Sequence, residues 1–242
     1  MRQLFTMLFK NTIFPERSRR VTLLLVVIVG LSMGHSAYAQ NAHFLTWQAN
    51  TYTPPGFLGR PLPTKGSSLV LSFQTLVPTE SFSNIPFTWY FNNRKIAEGI
   101  GKTKVATIIN ERPGIYEAKV FLRHPDNTPE TIITSVKVVA PEVLLTEEVG
   151  IIQRGVLYAY PRDLHFRALP FFFNATSLFD LSFIWSVGDT TSQDQNPEKP
   201  NEAIIAMPGE LPPRTQTVFG VRAINLGNEK ENTSQSVTVT SL

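Results

Sequence analysis

Residues 183–200 read Phe-Ile-Trp-Ser-Val-Gly-Asp-Thr-Thr-Ser-Gln-Asp-Gln-Asn-Pro-Glu-Lys-Pro. An apolar, aromatic run around Trp185 meets Gly188-Asp189, a pair suited to a turn because glycine takes positive φ without steric cost. A polar loop follows and closes at Asn196-Pro197. Beyond it, Thr215-Gln-Thr-Val-Phe-Gly-Val-Arg-Ala-Ile-Asn225 alternates apolar and polar residues, and Ser236-Val-Thr-Val-Thr240 does so again. Alternation with period 2 is the pattern of a half-buried strand. Short strands separated by turn signals imply an antiparallel sandwich rather than a helical fold.

These residues together resemble a PKD domain, an immunoglobulin-like β-sandwich of cell-surface proteins. The likeness rests on the Trp185 strand, the Gly188-Asp189 turn, the Thr/Ser-rich loop ending at Asn196-Pro197, and the alternating strand that closes on an Asn turn. Thr190 stands where the family places the second Gly of the turn. Pro212-Pro-Arg-Thr-Gln-Thr217 replaces the aromatic Gly-Thr-Tyr that precedes the alternating strand in the family. The resemblance implies a sandwich and a structural or adhesive role at the cell envelope. It implies no reaction, since one fold hosts many functions.

The same pattern lies upstream. Leu69, Leu71 and Phe73 alternate with polar neighbours, and Phe87-Thr-Trp-Tyr-Phe91 runs into an Asn92-Asn93 turn. Lys104–Ile109, Ile115–Leu122 and Thr131–Val139 complete a set of short strands, with turns at Arg112-Pro-Gly114 and His124–Pro129. Phe87-Thr-Trp89 corresponds to Phe183-Ile-Trp185, residues 105–109 to 202–206, 116–122 to 218–224, and 135–139 to 236–240. A repeat of about one sandwich length means tandem domains. The fold class expected is therefore all-β, with two tandem antiparallel immunoglobulin-like sandwiches. Residues 69–140 form the first and 141–242 the second, with Ala140-Pro141 at the boundary because Pro interrupts a ladder. Trp89 and Trp185 belong to the two cores rather than to binding platforms.

Residues 40–68 read as an N-terminal arm. Its stretch Tyr52–Gly66 is too rich in Pro and Gly for a helix or a central strand. Trp47, Tyr52, Phe57 and Leu58 are large apolar anchors that favour packing of the arm along the first sandwich.

Residues 1–39 read as a signal peptide or membrane anchor. Arg17, Arg19 and Arg20 precede the apolar run 21–33, and Ala37-Tyr38-Ala39 follows it. The run is shorter than the roughly 20 residues a membrane span needs. Cleavage before Gln40 is expected, and membrane contact arises through residues 21–39 only if the leader stays attached. The protein is thus expected outside the cytoplasm: periplasmic, extracellular or at the cell surface.

The whole chain carries 22 Lys/Arg and 19 Asp/Glu, a net charge of +3. Without the five basic residues and one acidic residue of 1–39, it holds 17 and 18 and is close to neutral. No basic patch of the kind that binds nucleic acid remains. There is no Cys, so thiol catalysis and thiolate metal sites are excluded and no disulfide supports the fold.

No catalytic motif stands out. His43, His124 and His165 form no H-E-x-x-H or H-x-H array, and no Gly-x-Ser-x-Gly elbow, phosphate loop or dinucleotide fingerprint is present. Glu147-Glu148 and the loop residues Asp189, Asp194 and Glu198 fall short of the six to eight oxygens that Ca²⁺ takes. No enzyme, cofactor or metal site is expected. Phe171-Phe172-Phe173 is the oddest segment, because three successive aromatics cannot all face one side of a strand. Burial between sheets or domains is its first reading; with Phe57 it also makes the candidate surface for a partner, an envelope or surface protein or a polysaccharide. Two alternatives stand beside that expectation. A carbohydrate-binding surface module would draw on Tyr158, Tyr160 and the Phe run. An accessory fragment of a secreted hydrolase system would fit the company PKD modules keep.

Overall fold

Alternation along Pro86–Phe91 sorts its side chains strictly: Phe87, Trp89 and Phe91 are buried, while Thr88 and Tyr90 lie between them on the outer face. The computed structural model that reveals this describes residues 42–77, 81–148, 152–153, 156–159, 163–192, 196–206, 212 and 214–241. Residues 1–39, expected to be a signal peptide or membrane anchor, lie outside the described residues. Among those described, no helix is long and apolar enough to cross a membrane.

The first sandwich consists of β1 (His43–Asn50), β2 (Ser68–Thr75), β3 (Pro86–Phe91), β4 (Arg94–Ile100), β5 (Lys104–Ile108), β6 (Gly114–Arg123) and β7 (Pro129–Val138). One sheet has the order β1-β2-β5 and the other β4-β3-β6-β7, every pair antiparallel. Between them lie Leu69, Leu71, Phe73, Phe87, Trp89, Phe91, Val120, Leu122 and Val136. Asn92 and Asn93 both take positive φ in the hairpin between β3 and β4, a conformation Asn tolerates better than other side chains.

The second sandwich repeats this plan with β8 (Glu142–Glu147), β11 (Leu164–Phe171) and β14 (Glu202–Ile205) in one sheet. β12 (Leu181–Val187), β13 (Thr190–Ser192), β15 (Gln216–Asn225) and β16 (Asn228–Ser241) lie in the other. The order β8-β11-β14 mirrors β1-β2-β5, and β13-β12-β15-β16 mirrors β4-β3-β6-β7. The all-β, tandem-sandwich fold expected from the sequence is thus present, with Trp89 and Trp185 both in the cores. One addition breaks the symmetry. β9 (Ile152–Gln153) and β10 (Val156–Ala159) extend the β16 edge, and β10 runs parallel to β16, an exception to the antiparallel scheme.

The expected arm divides in two. His43–Asn50 is a paired edge strand of the first sandwich, in register with β2 along its whole length, so that sandwich begins earlier than residue 69. Residues 51–67 then leave the first sandwich, touch the second, and return to β2. Tyr52 N–H donates to Phe173 O at 2.8 Å and Phe172 N–H to Tyr52 O at 2.7 Å. The Tyr52 ring packs against the second core. On the way back Val139 N–H donates to Pro63 O and Gly66 N–H to Ile109 O. This strap ties both sandwiches at the point where Val139, Ala140 and Pro141 join β7 to β8. Of the four proposed anchors, Trp47 and Tyr52 are packed, Phe57 is half-exposed, and Leu58 stands entirely in solvent.

Candidate functional site

Two places concentrate side chains beyond what the cores require. The first lies where the strap meets the second sandwich. β11 ends at Phe171, and Phe172 takes φ +61, a left-handed conformation unusual for a bulky residue. That kink ends the period-2 alternation expected through the Phe run. Phe172 and Phe173 are both buried, while Phe171 is only half-buried. The Phe57 ring meets Phe171 and Phe172 edge-on, with centroids 5.5 and 6.1 Å apart. Of the four residues proposed as a partner surface, Phe57, Phe171 and Phe172 therefore meet one another, while Phe173 packs into the second core. Phe172 and Phe173 offer no surface in this arrangement, and Phe57 and the edge of Phe171 remain accessible.

Polar groups lock the next turn. Asn174 N–H donates to Glu231 Oε1 at 2.8 Å, and its side-chain amide donates to Gly66 O at 3.2 Å. Buried Asn225 donates to Asn174 O and to Glu231. Every member of this small network is engaged, as buried polar groups must be.

The second place is at one end of the first sandwich, and the sequence pointed to none of it. His43 opens β1, His124 follows β6, and Glu130 lies at the start of β7. The β6–β7 turn is tight: Asn127 takes φ +67, His124 N–H donates to Thr128 O, and Asp126 accepts from both the N–H and hydroxyl of Thr128. This brings His124 Nε2 to 2.8 Å from Glu130 Oε2. From the opposite sheet, His43 Nδ1 lies 3.0 Å from both Glu130 oxygens. Phe73 and Phe82 back the His43 ring, each with its centroid 5.3 Å away. All three side chains are largely sheltered, His43 most of all at 11% exposure. Burial works against a charged carboxylate, but hydrogen bonds and positive charge from His124 and His43 outweigh it and hold Glu130 below its ordinary value. Among the described residues this is the one grouping of three His or acidic side chains whose ligand atoms lie within 4.8 Å of one another. Glu147-Glu148 makes no such group. His165 sits apart, 3.7 Å from Glu148.

A groove of about 550 Å³ opens between β12–β13 and β14, lined by Trp185, Thr190, Asn196, Glu202 and Ile205 among others. Trp185 is its only aromatic among the described residues, and that ring is buried. Tyr160 and the side chain of Tyr158, invoked for a carbohydrate platform, lie outside the described residues, as does Asp194.

Comparison with known proteins adds little. No family model matches the chain, and no curated protein does. Solved structures resemble it distantly. The three N-terminal domains of the Highly Immunogenic Outer Capsid protein (Hoc) of bacteriophage RB49 share 15% identity at a TM-score of 0.43. That match covers 83% of this chain and 59% of the other, so the chain spans less than two thirds of that protein's length. Fibronectin(III)-like modules of Clostridium thermocellum CbhA share 15% identity at a TM-score of 0.28, covering 82% and 94% of the two chains. Murine CEACAM1b shares 10% at 0.30, covering 82% and 100%. Similarity this low carries nothing about role, and the fold class rests on the strand order itself.

Proposed function

We propose that this chain is an exported, non-enzymatic protein of the cell envelope that acts as a structural, adhesive or assembly-accessory binding module through two PKD-like sandwiches. The observation that carries the proposal is the strap. Residues 51–67 hydrogen-bond to both sandwiches, so that sheet edges and loops are presented at a fixed spacing, as a bracket or ligand-presenting rod requires. The leader-like residues 1–39 support a place outside the cytoplasm. The Trp185 strand with its Gly188-Asp189 turn supports the PKD assignment, since β12 and β13 form a hairpin across those two residues, with Gly188 at φ +55. Partners are an envelope or surface protein, or a polysaccharide.

Fractionation of the producing cells, intact mass of the recovered protein and crosslinked pull-down from envelope extract test the proposal together. It predicts recovery from the envelope or medium, a mass starting at Gln40, and capture of a defined envelope component. Recovery from the cytoplasm at full length would overturn it. Retention on insoluble polysaccharide without a protein partner would favour the carbohydrate-binding alternative.

A further inference from the structure

We propose that His43, His124 and Glu130 form a binding site for one divalent transition cation of the zinc class. Two imidazole nitrogens and one carboxylate converge from three strand ends on two facing sheets. In a tetrahedral site with bonds of about 2.0–2.2 Å, donor atoms stand about 3.3–3.5 Å apart. Here the nitrogens lie 2.8 and 3.0 Å from Glu130 Oε2, and all three donors fall within 4.8 Å of one another. Both imidazoles already aim at one point, the Oε2 atom. For an ion of that size to enter, the two nitrogens and Oε2 must part by a few tenths of an ångström.

The donor set selects the ion. Imidazole suits zinc, copper and nickel, whereas Ca²⁺ and Mg²⁺ take oxygen ligands and are poorly served by two nitrogens. The surroundings are those of a held site rather than a loose surface cluster. His43 is fixed by the β1–β2 ladder and by two phenylalanine rings, and His124 by the hairpin turn. Orientation of ligands by their neighbours is what sustains metal affinity. Three protein donors leave one position for water or for a donor from a bound partner.

The test uses protein from cells expressing the full gene, without a polyhistidine tag, stripped with chelator and exchanged into metal-free buffer. Addition of Co²⁺ is expected to give the intense visible bands of a tetrahedral site. They should saturate at one equivalent and be bleached by Zn²⁺, and Zn²⁺ should raise the thermal midpoint. His124→Gln and Glu130→Gln should each weaken binding by at least about tenfold. Glu130→Gln keeps an oxygen in place to accept from both imidazoles, so it separates ligation from the existing hydrogen bonds. If His124→Gln fails to fold, Glu130→Gln decides alone. Absence of saturable one-to-one binding in the unsubstituted protein would overturn the proposal. Binding that survives unchanged in Glu130→Gln would do the same, and the trio would then be a hydrogen-bonded clasp between the sheets.

Discussion

Trp89 and Trp185 occupy the same place in the two sandwiches, yet among the described residues only Trp89 has an acceptor for its indole N–H. Trp89 Nε1 donates to Lys102 O at 2.8 Å, whereas Trp185 Nε1, equally buried, finds no acceptor among the described residues. The acceptor for Trp89 is positioned by Gly101, which takes φ +64 and passes so close to Ser83 that a Cβ there would lie 2.7 Å from its carbonyl oxygen. No other residue fits that approach.

The difference predicts unequal responses to one substitution. Trp89→Phe leaves the Lys102 carbonyl without its donor and should cost about 1–3 kcal/mol. Trp185→Phe removes a donor with no acceptor among the described residues, together with some packing, and should cost less. Alanine at either position should cost about 3–5 kcal/mol. Denaturant melts of the four variants check this, and equal losses in the two Phe variants would contradict it.

The Phe run should respond in graded fashion. Phe173→Ala is expected to lose about 3–5 kcal/mol, because its ring is fully buried in the second core. Phe171→Ser, half-exposed beside Phe57, should lose about 1 kcal/mol. A thermal midpoint that falls equally at both positions would show that the exposed edge of Phe171 is not free for a partner.

The strap gives a prediction about cooperativity. Tyr52→Ala removes the ring that packs into the second core and should cost about 0.5–3 kcal/mol. It should also separate the unfolding of the sandwiches into two calorimetric transitions. Leu58→Ser, on the same segment but fully exposed, should stay within about 0.5 kcal/mol. A single transition in both variants would mean that other contacts couple the sandwiches.

Asp180 offers a pH test. Its carboxylate accepts from the Thr176 hydroxyl and from the backbone N–H groups of Thr176 and Ser177, and these bonds hold it below the usual aspartate range. A depressed folded-state pKa gives stability that is present above the unfolded value of about 3.9 and is lost as the pH falls through the folded value. Asp180→Asn should therefore melt below the unsubstituted protein at pH 7, with the gap closing below about pH 4. A gap that does not narrow as the pH falls below about 4 would exclude the charged cap as its source.

Most of the fold could be read along the chain because each sandwich has one buried face per sheet. Phe87-Thr-Trp-Tyr-Phe91 and Ala118-Lys-Val-Phe-Leu122 alternate in sequence and in burial alike. Strands without that contrast escaped. His43–Asn50 buries only Leu45 and Ala49, so its pattern has no clear period, and Arg94–Ile100 is a charged edge strand with no buried side chain. The His43–His124–Glu130 trio was not legible. The turn at 124–129 could be read, but nothing singled out Glu130 beside it. His43 joins them only through β1, whose pairing no local pattern disclosed. The Phe171–Phe173 geometry was hidden for another reason: a positive φ at Phe172 is set by the strap, which packs from elsewhere in the chain.

The crossing of the strap sets a timetable for assembly. Tyr52 leaves the ribosome long before Phe173, and at about 5–20 residues per second the interval is several seconds to tens of seconds. Through that interval the backbone of Tyr52 lacks the partners it meets in the finished protein. The seven strands of the first sandwich all precede residue 139, so they can pair while the loop that will clasp the second sandwich still hangs open. Joining the two halves is then a late step. A chain arrested after its first sandwich would leave Tyr52 and Phe57 without Phe171, Phe172 and Phe173, which they meet only in the finished protein.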